Sequence, residues 1–181
     1  MTFPLLHEWL PANDQLERPQ MILSTVSAAG APDARTVLLT EFDEEGLYFH
    51  TDSRSRKVAD IAANPAVALT FLWPGFTRQL VVQGTAAVAP AGEQAEAFER
   101  RSPYLQQLAW LNSAEFAQLP LAERVEQWAS FDVPADPPPT WIGFVVRPTR
   151  LTFWQSNPET ASRREEYSLV DGAWELSHLP G

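Results

Sequence analysis

A chain of 181 residues with 45% hydrophobic and 11% aromatic content, seven tryptophans among them, can bury its own core; this excludes a disordered protein and points to one domain over residues 1–181. Its net charge of −10 argues against nucleic acid or an anionic membrane as a partner, and no apolar run reaches bilayer length. With no cysteine there are no disulfides, thiol catalysis or iron–sulfur ligation, and with no basic, apolar leader the expectation is a cytoplasmic protein.

The first eighteen residues read as an arm, with a short helix over Leu5–Leu10 that Pro11 stops. Gln20–Ser27 is rich in β-formers, Ala28–Asp33 turns, and Arg35–Glu41 is the expected returning strand. Phe42–Gly46 makes the next hairpin and leads into Leu47–Thr51. Ser55 is placed to cap a helix over Arg56–Asn64, which Asn64-Pro65 ends. Val67–Trp73 is a nearly continuous apolar strand; Pro74-Gly75 turns the chain into Arg78–Val88, where Gly84 marks a bend or bulge. Gly92–Arg101, Tyr104–Leu111 and Leu121–Phe131 have helical composition, and the proline-rich Asp132–Pro139 is an extended connector. Strands return over Ile142–Arg147, Leu151–Gln155, Tyr167–Val170 and Trp174–Ser177, the last two joined through Asp171-Gly172. Short strands with tight turns and a helical middle give a mainly β, α+β chain built on an antiparallel barrel or sandwich.

The functional clue is a contrast of charge. Lys57 is the only lysine, and it stands with Arg54, Ser55 and Arg56 in one turn of an otherwise acidic protein. Cations at a helix start oppose the macrodipole, whereas an anion held there gains both the free backbone N–H groups and the side chains. A phosphate is the natural guest, although such a cluster taken alone is more often a solvated turn. Other chemistry is scarce. His7, His50 and His178 are far apart and lack metal-ligand spacing, and no P-loop, Gly-x-Ser-x-Gly or Gly-x-Gly-x-x-Gly occurs. No catalytic residue and no metal ligand is nominated, and an enzyme of this kind would take its reactive centre from an organic cofactor.

The ordered set Arg35-Thr-Val-Leu-Leu39, Tyr48-Phe-His-Thr51, Ser55-Arg-Lys57, Asn64-Pro65, Arg78-Gln79, Val82-Gln-Gly84, Pro138–Gly143, Phe153-Trp-Gln155 and Gly172-Ala-Trp174 resembles the pyridoxamine 5′-phosphate oxidase family from about Pro19 onward. The resemblance implies an FMN-binding split β-barrel of antiparallel strands with peripheral helices. It also implies a homodimer with FMN at its interface, residues 140–181 completing the site. It sets the cofactor against Arg35, Thr36, Val37, Leu38, His50, Thr51, Ser55, Arg56, Lys57, Gln79, Trp154 and Arg164, with Arg56 and Lys57 as the phosphate pair. His50 replaces a usual tyrosine, and Ala114-Glu115 a glutamine–serine pair.

The substrate half departs further from the family pattern. Thr40 stands for a lysine, Ala97 for a tyrosine, Leu105 for a serine, and Thr160-Ala161-Ser162 for an Arg-x-His segment. Arg101 alone keeps the phosphate clamp. Each charge-assisted hydrogen bond lost is worth about 1.5–3 kcal/mol. The expectation is therefore an FMN-dependent oxidoreductase whose small-molecule substrate is not pyridoxine or pyridoxamine phosphate, with a more apolar pocket suited to an uncharged, planar molecule. A flavin carrier or sensor, a genuine oxidase with an altered pocket and a plain interaction module are the alternatives.

Overall fold

Alternation of Met21, Leu23 and Thr25 turns every second side chain of β1 (Gln20–Val26) inward. Val67, Leu69 and Phe71 do the same in β5 (Ala66–Leu72), and Leu80 and Val82 in β6 (Arg78–Val88). The computed structural model describes residues 4–15 and 17–181; Met1, Thr2, Phe3 and Leu16, part of the expected arm, lie outside the described residues. The remaining strands are β2 (Pro32–Leu38), β3 (Glu41–Phe42), β4 (Leu47–Asp52), β7 (Trp141–Gln155), β8 (Arg163–Val170) and β9 (Ala173–Pro180). All pair antiparallel in one curled sheet, a half-barrel of order β2-β1-β5-β6-β7-β4-β3, with β8 and β9 continuing from β7. Its helices are α1 (Pro4–Trp9), α2 (Arg56–Ala63), α3 (Ala91–Glu99), α4 (Pro103–Leu111), α5 (Ala114–Gln118) and α6 (Leu121–Ser130). Trp9 of α1 meets Trp73 and Phe153 edge-on at 5.4 and 5.2 Å and joins the main core. Among the described residues no helix is long and apolar enough to cross a membrane.

Three departures from the sequence expectation have local causes. The strand expected over Arg35–Glu41 begins at Pro32, because Ser27 N–H bonds Ala31 O around a left-handed Gly30. It ends at Leu38, after which Leu39 N–H bonds Pro19 O and Thr40 N–H bonds Tyr48 O, so the chain passes from one neighbour to the next there. The two strands expected over Ile142–Arg147 and Leu151–Gln155 are one strand of 15 residues. It runs through Pro148 because Gly84 opposite has no side chain; a Cβ on Gly84 would collide with the Arg147 carbonyl. The register skips Thr149 at this bulge, and the core-facing residues change from Ile142, Phe144 and Val146 to Leu151 and Phe153. Finally, α5 has no counterpart in the sequence reading; the hydroxyl of Ser113 starts it by accepting the N–H of Phe116 at 3.1 Å.

Candidate functional site

The basic turn sits where β4 ends and α2 begins. Ser55 holds the N-cap position of α2 but makes no side-chain cap bond, so the first N–H groups of that helix have no hydroxyl partner. Lys57 Nζ donates to Thr51 Oγ1 at 2.9 Å, and Thr51 Oγ1 lies 3.4 Å from Ser55 Oγ. Burial, then the nearby charge of Arg35, holds the Lys57 ammonium below the usual lysine range. Among the described residues no carboxylate comes within ion-pair distance of it.

The neighbouring cations are differently placed. Arg54 pairs with Asp52 at 2.7 Å, and Arg56, its side chain largely exposed, pairs with Asp33 at 3.0 Å. Arg35 turns beneath α2, where it meets Asp33 at 2.8 Å and Asp60 at 3.5 Å and donates to Thr25 Oγ1 at 2.8 Å and Leu23 O at 3.2 Å. Asp60 is itself buried and accepts from Thr25. Of the expected phosphate pair, therefore, Lys57 faces the cavity and Arg56 faces Asp33. Arg35 fastens α2 to β1 and β2 rather than lining the cavity, because Asp33, Asp60, Thr25 and the Leu23 carbonyl engage its guanidinium.

Eight of the residues picked out in the sequence come together in one cavity of about 270 Å³: Thr36, Val37, Leu38, His50, Thr51, Ser55, Lys57 and Arg101. A second cavity of about 260 Å³ adjoins it, sharing Leu38, Arg101 and Leu105, and adds Thr40, Ala97 and Arg100. Gln79, Trp154 and Arg164 lie apart from both, in a cavity of about 600 Å³ between the ends of β6, β7 and β9.

Between the two adjoining cavities is a polar cluster only half visible in the sequence. His50 is buried, with Nδ1 2.9 Å from Thr40 Oγ1 and Nε2 3.1 Å from Glu93 Oε2. Its ring stacks on Trp141 at 4.9 Å and 11°, and Trp141 Nε1 donates to Gln94 O at 2.9 Å. Gly143 lets the imidazole approach: a Cβ there would stand 2.5 Å from His50 Nε2. Burial lowers the His50 pKa, aided by Arg101 and Arg100 and opposed by Glu93. Beside Glu93, burial and the Glu93 charge raise Glu41 against the pull of Arg100, which pairs with it at 2.7 Å. Arg101 lies over the Trp141 ring at 4.4 Å, and burial brings it down to about 10; no carboxylate pairs with it among the described residues. Glu93, Gln94 and Trp141 were missed as site residues; the Pro138–Gly143 segment was the only signal, and nothing local marks Glu93.

Residues 11–155 match a family model described as pyridoxamine 5′-phosphate oxidase. The chain belongs to the pyridoxamine 5′-phosphate oxidase family. A pyridoxine/pyridoxamine 5′-phosphate oxidase of Salinibacter ruber is 36% identical over 176 residues, covering 91% of this chain and 81% of that protein. Its namesake in Chromobacterium violaceum is 39% identical over 170 residues, covering 90% and 79%. In fold the chain resembles PhzG from Burkholderia lata 383 in complex with tetrahydrophenazine-1-carboxylic acid (TM-score 0.77, 21% identity, 91% and 83% covered). It also resembles a pyridoxamine 5′-phosphate oxidase-related, FMN binding protein from Nostoc punctiforme (TM-score 0.75, 19% identity, 90% and 88% covered). The mainly β split barrel with peripheral helices is thus the fold of this oxidase family. Against the family pattern, Thr40, Ala97 and Leu105 share the cavity of Arg101, whereas Thr160, Ala161 and Ser162 line a separate cavity beside Trp9 and Phe153.

Proposed function

We propose that this chain is a cytoplasmic, FMN-dependent oxidoreductase acting on a small molecule other than pyridoxine or pyridoxamine phosphate. The residues present fit the cofactor's phosphate end: an α2 start without a side-chain cap, the hydroxyls of Thr51 and Ser55, and a half-buried Lys57 with no carboxylate partner among the described residues. Lys57 would hold the phosphate, and β2 from Thr36 to Leu38 would run along the ring system. FMN when bound supplies the redox chemistry by accepting or giving hydride. The chain's own groups bind, orient and exclude water.

The observation that carries the substrate reading is the Thr40–Arg101 cavity. Ala97, Leu105 and Leu38 present carbon, Arg100 pairs with Glu41, and among the described residues Arg18 and Arg101, the latter braced on Trp141, have no carboxylate within ion-pair distance. Guanidiniums without a carboxylate partner beside the carbon of Leu38, Ala97 and Leu105 suit an acid with an apolar body. The tetrahydrophenazine-1-carboxylic acid held by PhzG, a ring system bearing one carboxyl group, supports such a guest in this fold. Gln79, Trp154 and Arg164 line a cavity of their own. We read that as the half each copy of a homodimer lends to its partner's cofactor.

The test is a flavin titration of purified protein, followed by turnover with pyridoxine phosphate, pyridoxamine phosphate and a panel of planar acids. FMN uptake with turnover of an acid and none of the vitamin phosphates is the expected result. The identity to named oxidases over nine-tenths of the chain favours a second reading, a genuine oxidase with an altered pocket. Ordinary turnover of either vitamin phosphate would establish that reading instead. Flavin uptake without turnover of any donor would favour a carrier or sensor.

A further inference from the structure

Building on the reading that the Thr40–Arg101 cavity receives the substrate, we propose that Thr40, His50 and Glu93 form a hydrogen-bond chain of fixed direction. The chain leaves the Thr40 oxygen as an acceptor only, so the ligand must bring an N–H or O–H donor to it.

The direction follows from the partners. A neutral imidazole has one N–H and one lone pair, and a carboxylate only accepts. Glu93 Oε2 at 3.1 Å therefore accepts the N–H of Nε2, and Nδ1 is left to accept. The group at Nδ1 is the Thr40 hydroxyl, 2.9 Å away, which must donate its single proton to the ring. The lone pairs are then all that the hydroxyl of Thr40, a residue lining the second cavity, has left to offer a ligand. Burial, with Arg100 and Arg101 at the end of α3, keeps the ring neutral, and the Trp141 stack and the close passage of Gly143 hold it in place. Glu93 pulls the other way, with Glu41 of β3 beside it. Trp141 and Gly143 are themselves tied to Gln94, through its backbone carbonyl at 2.9 Å and its side-chain oxygen at 3.0 Å. The family pattern has a lysine, a donor, where Thr40 stands. The polarity at this one position is thus reversed, and a phosphate oxygen beside the Thr40 hydroxyl would meet lone pairs.

The chain is read directly by NMR of isotope-labelled histidine nitrogens in the FMN-loaded protein. Three histidines contribute, and His50→Phe assigns the signal. At neutral pH His50 should be neutral, protonated at Nε2 and accepting at Nδ1. Thr40→Val should move the Nδ1 signal to that of a nitrogen without a hydrogen bond and leave Nε2 alone, and Thr40→Ser should restore it. An Nδ1–H tautomer, an imidazolium, or an Nδ1 signal indifferent to Thr40→Val overturns the proposal.

The consequence for ligands is read by titrating the same protein with benzoate, the three monohydroxybenzoates and inorganic phosphate. At least one hydroxybenzoate should bind about tenfold more tightly than benzoate, with phosphate weaker than both, and Thr40→Val should erase that preference while benzoate binding persists. Equal affinity for benzoate and all its hydroxy derivatives overturns the proposal and leaves the reading of the cavity intact. Failure of every benzoate to bind overturns the reading of the cavity and the proposal with it.

Discussion

Arg35 and Arg101 are both removed from open solvent, and their surroundings differ in the one respect that matters. Around Arg35 stand Asp33, Asp60, Thr25 and a backbone carbonyl, so its charge is answered within the chain. Around Arg101 there is the face of Trp141 and the wall of a cavity, with no carboxylate paired among the described residues. Lys57 belongs with Arg101, and Arg54 and Arg56 belong with Arg35. A cation answered by a carboxylate holds the fold together; one left unanswered at a cavity costs stability and is there for a ligand.

The widest separation should come from truncating the two arginines. Arg35→Ala leaves Asp60 buried without its cation and should cost about 3 kcal/mol in urea unfolding. Arg101→Leu should leave stability unchanged or raised, since an uncompensated charge is exchanged for carbon. Equal losses in the two variants would erase the distinction. Next comes Lys57→Met, expected to weaken FMN about 10- to 100-fold by equilibrium dialysis while the flavin-free protein melts no lower than wild type. A flavin affinity unchanged within twofold would remove Lys57 from the ligand-facing class.

A smaller effect tests the His50 cluster. The folded pKa of His50 lies below its ordinary 6.5, so the unfolded chain takes up the proton first as pH falls. Stability should therefore decline below about pH 6.5, by at most about 1.4 kcal/mol per pH unit, and His50→Phe should remove that slope; above this range the group contributes nothing. Glu41 is shifted upward and acts with the opposite sign, so the comparison is between variant and wild type. A slope unchanged in His50→Phe would count against the buried neutral ring. The smallest difference concerns two helix starts. Ser113→Ala should cost about 1 kcal/mol, because its hydroxyl caps α5, while Ser55→Ala should cost a few tenths at most without ligand, because Ser55 caps nothing. Similar losses would show the α2 start to be closed by its serine and not held open for an anion.

What could be read in the sequence was local. Period-two runs such as Met21-x-Leu23-x-Thr25 and turns such as Asp171-Gly172 gave the strands, since a glycine or proline announces its own backbone geometry. The single strand through Pro148 was hidden because its permission comes from Gly84, distant in sequence and adjacent only across the sheet. Five-residue α5 is too short for periodicity to register. At the site, Ser55 and Lys57 lie within one turn of chain and were legible together with Arg54 and Arg56, while Thr51 came with the family resemblance. That Asp33 and Asp60 would claim Arg35 and Arg56, or that Glu93 would reach His50 from another helix, depends on pairings no motif records.

One skipped residue sets the handedness of the outer surface. Trp141 and Trp154 are thirteen positions apart, an odd count that would send their rings to opposite sides of a regular strand. Thr149, unpaired at the bulge, makes the paired count even, so both rings lie on the side away from Phe144 and Phe153. Deleting Thr149 alone would therefore leave a regular strand with both rings still on that side, whereas giving Thr149 a place in the ladder would turn Trp154 inward and Phe153 out to water.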